Sequence, residues 1–222
     1  MDNYARMEDS FEAARQAMVA VQLRRRGIQD ERVLAAMEKV PRHEFVPPPL
    51  RGSAYDDNPV PIGSGQTVSQ PYIVAYMLQV IALEPSHRVL EIGTGTGYQA
   101  AVLSELVKEV FTIERVSQLF VAAHDLLPKL GYGNVVVLLG DGTRGLPEHA
   151  PYDRIIVAAA APDIPNALFD QLAEGGRIIV PAGSAELQDL LLVRKQNGER
   201  VVQRLESCRF VPLIGEEGFS GK

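Results

Sequence analysis

Within the 222 residues there is one cysteine, Cys208, so no disulfide can close inside the chain and nothing in its cysteine usage marks an oxidising compartment. No run of about 18 apolar residues occurs, which leaves no segment able to span a membrane as a helix. Positive charge is the minority: 22 Lys and Arg stand against 28 Asp and Glu, a net charge of −6, which disfavours extended binding to a nucleic-acid backbone. The first residues, Met1-Asp2-Asn3-Tyr4-Ala5-Arg6, are polar and mixed in charge, unlike a signal peptide, so a cytoplasmic location is expected. No internal repeat or low-complexity tract is visible, and no His/Cys cluster has metal-ligand spacing. The histidines His43, His87, His124 and His149 are scattered, and each reads as a surface or capping residue.

What remains is ordinary for a globular chain, 46% hydrophobic and 23% charged, and long enough for one α/β domain with a substantial core. Residues 1–50 read as a helical cap. A helix over 8–26 carries Phe11, Ala14, Met18 and Val21 and stops at Gly27. A second helix begins at the N-cap Asp30, carries Val33, Leu34, Met37 and Val40, and ends before Pro41. Arg24-Arg25-Arg26 falls in the last turn of the first helix, where the dipole favours cations, so a solvated face explains it without nucleic acid. Pro47-Pro48-Pro49 stiffens the exit. Residues 51–71 form an irregular Gly-, Pro- and Ser-rich loop, unusually long for a compact domain unless it has a function.

From residue 72 onward helices and strands alternate. The pattern predicts a helix over 72–83, strands at 89–92, 110–113, 135–139, 154–160 and 177–180, and helices at about 116–130 and 165–173. Continuous apolar strands alternating with helices imply a parallel sheet covered on both faces. Asn197-Gly198 between 189–195 and 201–205 signals a hairpin, which adds an antiparallel element at the end.

The most informative stretch is Arg88-Val-Leu-Glu-Ile-Gly-Thr-Gly-Thr-Gly-Tyr-Gln99. A short apolar strand enters alternating glycines Gly93, Gly95 and Gly97, and a helical pattern follows at once. This order builds a nucleotide site at the carboxyl end of the first strand of an open α/β sheet. The dinucleotide spacing Gly-x-Gly-x-x-Gly fails at Tyr98, and no Gly-Lys-Ser/Thr follows for a triphosphate loop. The pattern Glu-x-Gly-x-Gly-x-Gly resembles the first motif of S-adenosylmethionine-dependent methyltransferases.

Three carboxylates are placed to matter. Glu114 closes the next strand, 23 residues after Glu91, where an acid can accept from both ribose hydroxyls or simply cap the following helix. Asp141, between Gly140 and Gly142, can accept from an adenine amino group, with a neighbouring backbone N–H for a ring nitrogen, or can serve only a turn. Glu91 sits inside a strand, where a charge needs a partner; it could orient the glycine loop or face the methionyl ammonium.

The acceptor is narrowed by the loop before the first strand. After the fourth strand the chain reads Ala158-Ala159-Ala160-Ala161-Pro162, without the Asn/Asp-Pro-Pro-aromatic motif common in enzymes that methylate amide or exocyclic amino nitrogens. Pro61-Ile-Gly-Ser-Gly-Gln-Thr-Val-Ser-Gln-Pro-Tyr72 closely resembles the signature of protein-L-isoaspartate (D-aspartate) O-methyltransferases. The resemblance covers nearly the whole chain: Val40-Pro41-Arg42 before Phe45-Val46, Leu90–Ala101, Gly140-Asp141-Gly142, Ala150–Asp153, Gln171-Leu172 with Gly175-Gly176, and Arg209–Leu213. Ser64 and Val68 are small departures from the family pattern.

The resemblance implies a class I, Rossmann-like fold with a mostly parallel seven-stranded sheet, an antiparallel C-terminal hairpin and an N-terminal helical cap. It implies an enzyme that methylates the free α-carboxylate of L-isoaspartyl residues in damaged proteins and peptides, with S-adenosylmethionine as donor and S-adenosylhomocysteine as product. The ester then cyclises to a succinimide, which reopens partly to aspartate. It implies cofactor contacts from Gln66, Thr67, Val68, Ser69, Val74, Glu91, Ile92, Gly93, Thr94, Gly95, Gly97, Glu114, Asp141 and Gly142. Ile62, Thr67, Val68, Ser69, Val211 and Leu213 would bind substrate, and no metal, membrane or nucleic acid takes part. A monomer is expected.

Elementary chemistry fits this reading. A free α-carboxylate has a pKa of roughly 3.5, so it is ionised at neutral pH and needs no general base. By residue type alone Ser69 reads as a helix cap rather than a positioning group; the resemblance reverses this and places the active-site serine there. The competing expectations are a methyltransferase for a small-molecule carboxylate or hydroxyl, and a nucleotide-binding regulator without turnover.

Overall fold

A computed structural model describes residues 2–220, with side chains from Met7 onward. The first helix, α1 (Asp2–Ala17), does not run to Arg26 with one winding. It widens into a π-helical segment, Met18–Leu23, and tightens into a 3₁₀ turn, Arg24–Arg26, before Gly27 closes it at φ +95°. The π-helical segment, with its i→i+5 bonding, buries Met18, Val19 and Leu23. Val21, expected on the apolar face, is instead exposed. Helix α2 (Glu31–Lys39) follows the expected course, with the Asp30 carboxylate accepting the N–H groups of Arg32 and Val33.

The 51–71 segment is more ordered than its composition suggests. It holds a small antiparallel hairpin, β1 (Val60–Gly63) and β2 (Gln66–Val68), turned through Ser64 and Gly65, both with positive φ. Proline and glycine inside β1 hide it from propensity. Helix α3 (Pro71–Val80) then leads to β3 (Arg88–Ile92), α4 (Tyr98–Ser104), β4 (Glu109–Glu114), α5 (Ser117–Lys129) and β5 (Val135–Leu139). The second half runs β6 (Tyr152–Val157), α6 (Asn166–Asp170), β7 (Leu172–Gly183), β8 (Gln188–Gln196) and β9 (Glu199–Cys208).

The strands form one seven-stranded sheet in the order β5-β4-β3-β6-β7-β8-β9. Its first five strands are parallel, and β8 and β9 pair antiparallel through the expected Asn197-Gly198 turn. Strand β6 is shorter than the expected 154–160 at its carboxyl end, and α6 is only five residues long. Strand β7 is longer than expected and runs through Pro181, paired with Leu190 on β8. Proline lacks the donor a strand normally needs, but its carbonyl here accepts the Ala161 N–H beyond the end of β6.

Apolar side chains alternate between the two faces. Val89, Ile156 and Ile179 join the core beneath the N-terminal helices, α3 and α4. Leu90, Ile92, Ile155, Val157, Ile178 and Val180 build the opposite core with Leu168 and Phe169. Chain order reverses between β3 and β6, so their carboxyl ends open a crevice where open α/β sheets bind ligands. Two histidines are not surface residues: His43 is buried flat against Phe11 with Nδ1 2.8 Å from the Tyr55 hydroxyl, and His87 is buried with Nδ1 accepting the Glu84 N–H. Among the described residues, no helix is long and apolar enough to cross a membrane.

Candidate cofactor and substrate site

The glycine loop turns sharply because Gly93, Gly95 and Gly97 all take φ between +56° and +94°, a region costly for other residues. Gly93 and Thr94 donate backbone N–H groups to the Ile113 carbonyl at 2.9 and 3.3 Å, which ties the loop to β4. Glu114 at the end of β4 is nearly buried. Its two oxygens accept the backbone N–H groups of Gly95 (2.9 Å) and Val116 (2.8 Å), so each keeps a second acceptor direction.

These elements surround an open cavity at the switch point. Of the expected cofactor residues, Ile92, Gly93, Thr94, Gly95, Glu114 and Gly142 line it from the sheet side. Gln66, Thr67, Val68, Ser69 and Val74 line it from the hairpin and α3. Val211 and Leu213 complete the wall, held there because Val211 O accepts the Ala160 N–H and Leu213 N donates to Ala160 O. A second groove shares Thr67, Ser69, Ala158, Val211 and Pro212 with the cavity. The shared residues make the two spaces neighbours.

Glu91, Gly97, Asp141 and Ile62 are not in that lining. Gly97 faces the Leu127 side chain and begins α4. Ile62 packs over Gly95 from outside the cavity. The Asp141 carboxylate caps a short turn: Oδ1 accepts from Thr143 N and Oγ1, and Oδ2 from Glu216 N at 2.9 Å. Burial works against its charge, but the Glu216 and Thr143 donors win and hold its carboxyl below the usual range. Its neighbour Gly142 does reach the cavity, and a Cβ there would stand 2.5 Å from the Ile92 methyl, so only glycine lets that backbone approach.

Glu91 is fully buried. Its Oε2 accepts the Thr112 hydroxyl at 2.5 Å, and that hydroxyl also meets Thr94 Oγ1 at 2.7 Å. Burial, the largest cause, pushes its carboxyl up to about 8, with the charge of Glu114 adding to the shift. The Gln99 side-chain amide faces the Glu91 carboxylate and favours its charged form, while Thr96 Oγ1 has no hydrogen-bond partner among the described residues; Gln99 and Thr96 both line the cavity. Buried polar atoms without partners beside a cavity mark a place built for a polar ligand.

Sequence reasoning passed over several lining residues: Tyr98 and Gln99 after the glycines, Arg115 and Val116 after Glu114, and Ile113, Ala159, Pro212 and Ile214. Adjacency to the glycine loop and to the strand-ending acid was the available signal for the first four. The hydroxyl of Ser69 is not spent on capping: the N-cap position of α3 is Gln70, with no side-chain cap bond. One group of metal-ligand type occurs among the described residues, Glu8, His43 and Glu44, with ligand atoms within 4.8 Å of one another. Arg51 is bonded to Glu44 at 3.0 Å, and none of the three lines the cavity.

Residues 13–218 match the family model described as Protein-L-isoaspartate(D-aspartate) O-methyltransferase (PCMT). A protein-L-isoaspartate O-methyltransferase of Koribacter versatilis is 56% identical over 210 residues, covering 95% of each chain. That of Methanoculleus marisnigri is 50% identical, covering 96% of this chain and 97% of the relative. Among solved structures, a candidate protein-L-isoaspartate O-methyltransferase of Plasmodium falciparum, in complex with S-adenosyl-L-homocysteine, superimposes with a TM-score of 0.79. It is 27% identical and covers 90% of this chain and 98% of that one. With the family model spanning nearly the whole chain and relatives at this identity over nearly full length, the chain belongs to the protein-L-isoaspartate (D-aspartate) O-methyltransferase family.

Proposed function

We infer that the chain transfers a methyl group from S-adenosylmethionine to the free α-carboxylate of L-isoaspartyl residues in damaged proteins and peptides, starting their repair through a succinimide. Family membership supports the activity; the observation that carries the site is the adjoining of a glycine-loop cavity and a groove at Ser69. The residues present fit the cofactor. Glu114 keeps free acceptor directions for ribose hydroxyls, the backbone at Gly142 lies open for the adenine edge, and Thr96 brings an unpartnered hydroxyl beside the Gln99 amide for the methionyl end. The adenine reading thus passes from the Asp141 carboxylate to the backbone beside it, with Asp141 holding that backbone and the tail in place.

When bound, S-adenosylmethionine would supply a sulfonium methyl that an ionised carboxylate can attack without acid or base help, with S-adenosylhomocysteine leaving as a neutral thioether. The protein's work is therefore alignment and exclusion of water, and alignment alone can be worth roughly 7–11 kcal/mol. Ser69 donates its hydroxyl to one carboxylate oxygen and leaves the other free to attack. Thr67 and Val211 line both spaces and so meet the peptide, Val68 and Leu213 stand on the cofactor side of the same junction, and Ile62 lies beside the glycine loop at Gly95. This reading carries with it a cytoplasmic monomer acting as one unit, the 1–50 cap and 51–71 loop serving the 72–222 core, without metal, membrane or nucleic acid. Transfer of labelled methyl to an isoaspartyl peptide but not to its aspartyl isomer tests it.

A further inference from the structure

Arg42 is the largest fully buried side chain of the described residues, and its hydrogen bonds go to neutral carbonyls rather than to a carboxylate. A guanidinium buried that way is expensive, and a fold keeps such a group only where its particular geometry matters. Nε donates to the Ala54 carbonyl at 2.6 Å and Nη2 to the Ser69 carbonyl at 2.8 Å. The plane lies against the Tyr98 ring, 4.6 Å from its centroid, and Tyr98 lines the cofactor cavity. Ala54 lies near the start of the long loop before α3, and Ser69 lies near its end. One side chain from the N-terminal cap thus joins both ends of the loop that carries the β1–β2 hairpin, with its back against the cavity wall.

We propose that Arg42 is a positioning residue for methyl transfer: its guanidinium clamps the loop from Ala54 to Ser69 through those two carbonyls and so fixes the Ser69 hydroxyl at the reacting carboxylate. The proposal rests on the role of Ser69 given above. The two bonds leave different nitrogens of one rigid plane, so the fork sets the distance between the loop's ends. A lysine ammonium, a point donor on a flexible stem, can reach one carbonyl without fixing the other. Released at one end, Ser69 would drift, and a displacement of about 1 Å at a reacting centre costs on the order of a hundredfold.

Arg42→Lys and Arg42→Gln, each in the natural chain and with Ser69→Ala, form a double-mutant cycle. The readouts are kcat and KM on an isoaspartyl peptide well below the melting temperature, the S-adenosylhomocysteine Kd by calorimetry, and circular dichroism; the glutamine variant serves if the buried lysine prevents folding. Arg42→Lys should lower kcat by about tenfold or more and move the cofactor Kd less than about threefold, and the kcat loss should nearly vanish in the Ser69→Ala background. Lower melting with unchanged kcat and KM would make Arg42 scaffold only and overturn the proposal. Equal losses in both backgrounds would also overturn it while leaving the role of Ser69 standing. If Ser69→Ala alone costs nothing, the role of Ser69 fails and the proposal falls with it.

Discussion

The carboxylate of Glu114 accepts the backbone N–H of Gly95 at 2.9 Å, so the acid that ends one strand is bonded to the middle glycine of the loop that ends its neighbour. If Glu114 accepts the ribose hydroxyls as proposed, ribose recognition and loop shape are one device. Either element displaced would move the other, and the register Ile92 against Ile113 at the ends of β3 and β4 brings them within reach.

Glu114→Ala should weaken S-adenosylhomocysteine binding much more than Glu114→Gln. Alanine removes both loop bonds and every ribose acceptor. Glutamine keeps one carbonyl oxygen and turns an amide donor toward either Gly95 or Val116, losing one loop bond. Hydrogen bonds to a charged acceptor are worth roughly 1.5–3 kcal/mol, so alanine should cost about one to two decades in Kd. Calorimetric titration giving the same affinity for both variants and the natural chain would remove Glu114 from the site.

Ser69→Ala should slow turnover by about thirtyfold, the effect of roughly 2 kcal/mol lost in the transition state. Melting should hardly change, because the N-cap of α3 falls at Gln70 and takes no side-chain bond. Steady-state rates and a melting curve on the same preparation separate the roles. Unchanged turnover with melting lowered by several degrees would mean that the hydroxyl serves the fold alone.

Glu91 should make stability fall with rising pH. Burial raises its carboxyl to about 8 in the folded chain, against an ordinary value of 4.5. Below the lower value both states hold the proton and the contribution is fully present. Between the two the unfolded chain gives up its proton and the folded chain keeps it, so stability drains by about 1.4 kcal/mol per pH unit until the folded value is passed. Glu91→Gln, neutral at every pH, lacks that loss. Denaturant titrations at pH 5, 7 and 9 should show the variant gaining on the natural chain as pH rises; parallel curves would mean that Glu91 is ionised in the fold.

Much of this site was legible because its signals are local. A strand, three alternating glycines and an acid at the end of the next strand lie within 26 residues, and each of those features is spelled by residue type. The Asn197-Gly198 hairpin and the Asp30 cap were legible for the same reason. What stayed hidden depends on contacts between distant residues. The Asp141 carboxylate turns toward Thr143 and the tail at Glu216, a partner 75 positions away that no spacing announces. The π winding after Ala17 answers to packing of Met18, Val19 and Leu23, and the buried state of His43 to the ring of Phe11 beneath it. Strand β7 continues through Pro181 because a carbonyl, not an N–H, is needed there.

Discrimination between isoaspartyl and aspartyl peptides tests the whole arrangement. In isoaspartate the main chain runs through the side-chain carbonyl, so the free carboxylate is an α-carboxylate one methylene closer to the backbone. The groove beside Ser69 is lined by Thr67 of β2, Gln70, Tyr72 and Ile73 on one side and residues 206–212 on the other, and in the proposed function an extended peptide lies there in one register. An aspartyl peptide in that register would carry its carboxylate about one C–C bond, roughly 1.5 Å, too far out, and misplacement of about 1 Å can cost on the order of a hundredfold. Labelled-methyl incorporation into the isoaspartyl peptide, read as base-labile methanol, should exceed that of the aspartyl isomer by more than about two decades. Comparable rates on the two isomers would sink the repair function and favour a small-molecule carboxylate or hydroxyl as the acceptor.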